Sequence, residues 1–232
     1  MTGSVIALRK EFGKTVAADI AHRMREEVIS CRMAPGEPLK FETLRSAFGA
    51  SFTTLREALM ALAADGLVVS EGQRGFHVAP VSASDLMDIT DARVLIEAQA
   101  MHKAIAKGDD EWEIAAMTTL HRLTKIEERI EGRPSDDPEW RRAHSQFHHA
   151  LVSACGSPTL LGIRAQLFDR SERYRSLSAS RRPTSRDKTG EHRAIMMAAI
   201  ARNADLAAEL IEKHIRSTAD NVLKYAGDLL AS

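Results

Sequence analysis

Apolar positions along the first 80 residues change period several times. In "TVAADIAHRMREEVISC" they recur at Val16, Ile20, Met24, Val28 and Cys31, steps of three and four that predict a helix with one buried stripe. "MAPGEPL" stops that helix, because two prolines and a glycine cannot continue it. A short helix in "FETLRSAFG" closes at Gly49, and Ser51 or Thr53 can cap the next, "TLREALMALAADG", which Gly66 ends. "LVVSEGQRGFHVAP" then reads as two short strands, Leu67–Ser70 and Phe76–Ala79, around a glycine-containing turn. Two short helices joined by a tight turn and followed by a hairpin predict a winged helix-turn-helix over residues 1–80.

Beyond Val81 the strand signals stop. Helical stripes follow one another over 84–107, 109–131, 137–155, 158–180, 188–202 and 204–230, broken by "KGDD", "EGRPSDDP", "CGSP" and "RRPTSRDKTG". The expected fold is mainly α: an N-terminal winged helix-turn-helix plus an all-helical C-terminal bundle over 81–232. A composition of 44% hydrophobic and only 5% aromatic residues agrees with helix-on-helix packing. No apolar run approaches the length of a membrane span, and no signal peptide is evident, so a cytoplasmic protein is expected. Cys31 and Cys155 lack metal-binding spacing and are expected to be reduced, buried thiols.

Charge does not help. Residues 1–80 carry ten Lys/Arg against nine Asp/Glu, and the formal net charge of the chain is zero. DNA binding would need a local basic face, doubled in a dimer, rather than a basic domain. In the third helix Leu55, Ala58, Leu59 and Leu62 fall inward, leaving Ser51, Thr53, Thr54 and Arg56 at the helix start or on its outer side. Hydroxyls and amides there suit phosphates, and an arginine can fork onto guanine. A plainer reading, in which Arg56 pairs with Glu57 or Asp65 on a solvated face, stays open.

Nine histidines raise a metal question. His144 and His148, four residues apart, share one helix face, while His192 and His214 sit on the last two helices. Four imidazoles converging inside a bundle would suit Zn²⁺ or Ni²⁺. Spacing alone leaves unrelated core or surface histidines as the plainer reading. His149 points away from that face.

The segments "MAPGEPL", "LRSAFGASFTTLREALMALAADGLV" and "QRGFHVAPVS" resemble the GntR family of bacterial regulators across residues 15–80. The resemblance implies DNA contacts by Ser51, Thr53, Thr54, Arg56 and Gly75, with Arg74 or His77 at the wing. It departs at Phe52, where the family usually carries arginine; a ring there can meet a thymine methyl or pack under the wing, and packing is the favoured reading. "DARVLIEAQA", "FHHALVSACGSPTL" and "EHRAIMMAAIARNAD" resemble the FCD effector domain of the FadR subfamily. That domain implies a divalent metal held by Asp, His, His and His, which map onto His144, His148, His192 and His214, with His144 in the aspartate's place.

Neutral imidazoles leave the ion's charge uncompensated, which favours a small carboxylate effector; Arg93 is its candidate partner and could form a carboxylate fork with Arg164 or Arg173, while a helix-surface salt bridge is the plainer reading of each. The function expected is a homodimeric, metabolite-responsive repressor released from operator DNA by an organic acid bound near the metal. Two rivals remain: a helical metalloenzyme, weakened by the lack of HExxH or a nucleophile elbow, and a DNA binder that senses nothing.

Overall fold

The computed structural model describes residues 15–72, 75–130, 137–179, 181 and 188–230. The chain divides into two compact units.

The first unit comprises the chain up to Val28 and Met33–Ala79. It contains α1 (Val16–Ile29), α2 (Phe41–Phe48), α3 (Phe52–Ala64), β1 (Val68–Ser70) and β2 (Phe76–Val78). The strands pair antiparallel, Val68 opposite Val78 and Ser70 opposite Phe76. The Ser51 hydroxyl caps α3 by accepting from the Thr54 amide at 3.2 Å, satisfying a donor that the helix leaves open. Leu55, Leu59 and Leu62 are wholly buried among Ile20, Met24, Val28, Leu44 and Phe76. Each buried leucine contributes about 1.5–3 kcal/mol of transfer free energy.

The apolar stripe of α1 is shorter than its periodicity predicts. Val16 is 70% exposed at the first helical residue. Cys31 lies beyond the helix with a left-handed φ of 57°, and its Sγ faces the Arg173 carbonyl at 3.4 Å. Cys31 is half-buried and Cys155 buried, and both are free thiols.

The second unit comprises Ile29–Arg32 and the chain from Pro80. Its helices are α4 (Ala83–Lys107), α5 (Asp110–Arg129), α6 (Pro138–Val152), α7 (Pro158–Ala179), α8 (Lys188–Ile200) and α9 (Ala204–Ala226). Side-chain caps start five of them: Ser82 on α4, Asp109 on α5, Asp137 on α6, Ser157 on α7 and Asn203 on α9. The last turns of two predicted stripes tighten into 3₁₀ segments, Ser153–Cys155 and Gly227–Leu230. The long α4 packs against α6, α7, α8 and α9, and α5 against α6 and α8.

The interiors differ in kind. The first unit has a dry apolar core. Among the described residues all 12 buried polar or charged side chains belong to the second unit. Burying such groups is costly unless they are paired or hold a ligand, so their concentration marks a site.

A histidine cluster ringed by buried ion pairs

His144 and His148 lie one turn apart on α6, which Asp137 and Pro138 start. His192 comes from α8 and His214 from the middle of α9. All four are buried, and one ligand atom from each lies within 4.8 Å of all the others. Nε2 of His144 and Nε2 of His148 are 3.2 Å apart, near the roughly 3.3 Å edge of a tetrahedron with Zn–N bonds of about 2.05 Å.

Burial is the main reason that His144 and His148 are held well below the ordinary imidazole range. Neighbouring imidazoles push the same way, as do Arg175 for His144 and Arg93 and Arg164 for His148. Neutral imidazoles offer the lone pairs a metal needs. The buried Nδ1 atoms of His144 and His148 lack a hydrogen-bond partner among the described residues. Nδ1 of His214 meets Glu191 Oε2 at 2.7 Å, which turns its other nitrogen inward. The four residues therefore fit a divalent ion. His149 lies outside the cluster, exposed beside Ser145, Gln146 and Ser153.

A charged shell surrounds the imidazoles. Arg93 donates to Glu97 at 3.3 Å and to Ser171 at 2.8 Å. Arg164 donates to the same Glu97 oxygen at 3.0 Å. Both guanidiniums lie over Phe168, at 4.7 and 4.5 Å from its centroid, and that ring is 5.7 Å from His148. Arg175 Nε donates to both Glu172 oxygens, at 2.8 and 2.9 Å, and Nη2 also donates to Oε2. Nη2 of Arg164 and Nη1 of Arg175 are buried without hydrogen-bond partners among the described residues. Arg93 is thus an interior residue in a buried ion pair, not a helix-surface one. Arg164 stands beside it, whereas Arg173 reaches toward the Pro80 carbonyl.

Periodicity missed Glu97, Glu172, Arg175 and Trp140. The one available signal was the four-residue step from Arg93 to Glu97. Helix α7 mixes buried Arg164, Glu172, Arg173 and Arg175 with Phe168 and Tyr174, so no polar face separates from an apolar one.

In the first unit Ser51, Thr53 and Arg56 are exposed and Thr54 is half-buried at the start of α3. Ser51 and Thr54 also share a hydroxyl contact of 2.9 Å. Asp65 is bonded to Arg25, and Arg56 forms no ion pair among the described residues. Gly75 opens the wing strand with φ +85°; Arg74 lies outside the described residues. Phe52 remains 55% exposed and packs on Phe41 at 4.2 Å. Phe41 in turn meets the wing residue Phe76 edge-on, so Phe52 leans on α2 rather than under the wing.

Comparison with known proteins places both units. Residues 16–78 match the family model of bacterial regulatory proteins of the gntR family, and residues 88–217 match the FCD domain. The chain is a GntR-family regulator with an FCD domain. It is 36% identical over 208 residues to the HTH-type transcriptional regulator BphR of Paraburkholderia xenovorans, covering 88% of this chain and 83% of that one. It is 37% identical over 196 residues to the HTH-type transcriptional repressor GlaR of Escherichia coli, covering 83% and 89%.

Among solved structures, E. coli McbR/YncC superposes with a TM-score of 0.78 at 17% identity, covering 90% of this chain and 98% of that one. A GntR regulator from Rhodococcus sp. RHA1 gives 0.73 at 20% identity, covering 90% and 97%. These two show the shared fold. The GntR assignment makes the chain a DNA-binding transcriptional regulator, not an enzyme. Among the described residues no helix is long and apolar enough to cross a membrane.

Proposed function

We propose that this GntR regulator is a metal-containing repressor released from its operator by a small carboxylate. Residues 1–80 would read DNA, and residues 81–232 would bind the effector and pair two subunits. The observation that carries the reading is the composition of the helical interior. Four imidazole ligand atoms lie within 4.8 Å of one another. Among the described residues three buried guanidiniums, Arg93, Arg164 and Arg175, and two buried carboxylates, Glu97 and Glu172, stand around them. A divalent ion held by His144, His148, His192 and His214 would bring two positive charges onto four neutral ligands, inside a shell whose described guanidiniums and carboxylates, Glu191 included, balance. An anionic ligand offsets the ion's charge. Zn²⁺ and Ni²⁺ suit imidazole donors.

Ser51, Thr53, Thr54, Arg56 and Gly75 supply the DNA contacts in this reading, with Arg74 at the wing. Two α3 helices in a homodimer would address half-sites about one DNA turn apart. The name of the GlaR relative, a repressor, supports the sign.

The test is fluorescence anisotropy on DNA from the promoter region of the chain's own gene, with metal-loaded and chelator-stripped protein and a panel of mono- and dicarboxylates. At least one acid should lower the affinity of loaded protein tenfold or more and leave stripped protein unaffected. Equal DNA affinity in every condition would refute the sensing role while leaving DNA binding intact.

A further inference from the structure

His144 occupies the place where the FCD resemblance expects an aspartate, and three side chains close a circuit around it. The Trp140 ring stacks on His144, centroids 4.6 Å apart and planes 16° apart. The Arg175 guanidinium also lies against Trp140, 4.5 Å from its centroid. Arg175 forks onto Glu172. Glu172 Oε2 returns to within 3.7 Å of His144 Nδ1. Trp140 is itself pinned from outside, its indole N–H donating to Glu127 Oε1 at 2.9 Å. Trp140, Glu172, Arg175 and His144 are all buried.

An imidazole that offers Nε2 to a metal carries its proton on Nδ1, and a carboxylate beside Nδ1 favours that tautomer. Glu172 stands on the Nδ1 side of His144, while Nε2 faces His148. An unconstrained histidine would lose rotamer freedom on binding an ion. Here the stacked Trp140 ring restricts the imidazole before any ion arrives, and the carboxylate 3.7 Å from Nδ1 biases its tautomer electrostatically.

We propose that Trp140, Glu172 and Arg175 form a positioning cage that commits His144 to the ion, giving a four-imidazole site that prefers Zn²⁺ or Ni²⁺ over Mn²⁺. The cage rests on the metal reading above and goes beyond it, because it assigns roles to residues outside the ligand set and a selectivity to the exchange at position 144. Carboxylate donors suit Mn²⁺, and imidazoles suit Zn²⁺ and Ni²⁺.

The experiment titrates stripped full-length protein with Zn²⁺, Ni²⁺ or Mn²⁺ alone, against a competing chelator, in four forms: parent, Glu172→Gln, His144→Asp and the double variant. Parent should bind Zn²⁺ and Ni²⁺, and Glu172→Gln should weaken both about 10–100-fold. In the His144→Asp background, with no imidazole to orient, the same change should shift affinity less than about threefold. His144→Asp should also narrow the gap between Ni²⁺ and Mn²⁺.

A loss of equal size in both backgrounds would mean that Glu172 serves only to neutralise Arg175, and the cage would fall. No loss in the parent background would overturn it as well. A parent that binds neither Zn²⁺ nor Ni²⁺ would sink the metal reading and the cage together, an outcome distinct from a parent that binds but ignores Glu172. Nitrogen-15 spectra of the Zn²⁺-loaded parent give a second readout that does not depend on a variant folding. His144 should show a protonated Nδ1 and an ion-bound Nε2, and the reverse tautomer would overturn the proposal.

Discussion

Nδ1 of His214 and Oε2 of Glu191 are 2.7 Å apart, joining the middle of α9 to the first turn of α8. Glu191 precedes His192, so two adjacent residues of α8 serve the cluster differently, one as a candidate ligand and one as the partner of another ligand. Glu191→Gln keeps the shape and removes the charge. It should weaken Ni²⁺ or Zn²⁺ binding about 10–100-fold in chelator competition, while secondary structure measured by circular dichroism stays unchanged.

Acid should destabilise the stripped protein. Burial holds His144 and His148 well below their usual range when folded, whereas the unfolded chain protonates them near pH 6.5. The unfolded state therefore takes up protons first as pH falls. The stability that depends on neutral imidazoles is full above about pH 6.5 and is lost below it, on the order of 1.4 kcal/mol per pH unit for each histidine. Urea unfolding from pH 8 to pH 5 should show a steady decline that starts near 6.5. His144→Gln with His148→Gln should flatten that slope.

Glu97 receives two guanidiniums at once, from Arg93 and Arg164. Glu97→Gln would leave two buried cations sharing one neutral acceptor. A loss of about 3–5 kcal/mol is expected in chemical denaturation, the usual cost of removing one partner from a buried ion pair. Replacing an exposed pair such as Lys125–Glu128 should change stability by less than about 1 kcal/mol.

Arg56→Ala should weaken binding to the native operator by about 1–3 kcal/mol and random DNA by much less. Equal loss on both would reduce Arg56 to a phosphate contact. The change should not affect stability, since Arg56 is exposed and forms no ion pair among the described residues.

Phe52→Arg introduces the guanidinium that the GntR pattern usually carries there. It should raise affinity for random DNA and steepen the dependence of log affinity on log salt by about one. An unchanged salt slope would show that position 52 does not reach the phosphates.

Much of the architecture was legible before any coordinates. Leu55, Leu59 and Leu62 announced α3 because helical periodicity reports burial directly, and Gly49 and Ser51 marked the turn because capping is local chemistry. The four histidines were also legible, two by their shared face and two by motif, and the structure brings all four together. What stayed hidden depends on contacts between distant residues. Cys31 looked like the last member of a stripe, yet the chain turns left-handed there and the thiol faces Arg173. Glu172 looked like one more charge on a helix rich in them. Only the packing of α7 against α4 and α9 reveals that it is interior, because charged residues carry no periodic signal of burial.

The 12 buried polar side chains of the second unit have a consequence beyond any one contact. An ion leaving water gives up a mobile shell of dipoles that must rearrange around it. The interior of α4, α6, α7, α8 and α9 offers fixed dipoles and charges in exchange, oriented when the chain folded. For an ion held by the four imidazoles, the helical unit would act as a solidified hydration sphere, with the reorganisation that water would undergo on binding already completed during folding.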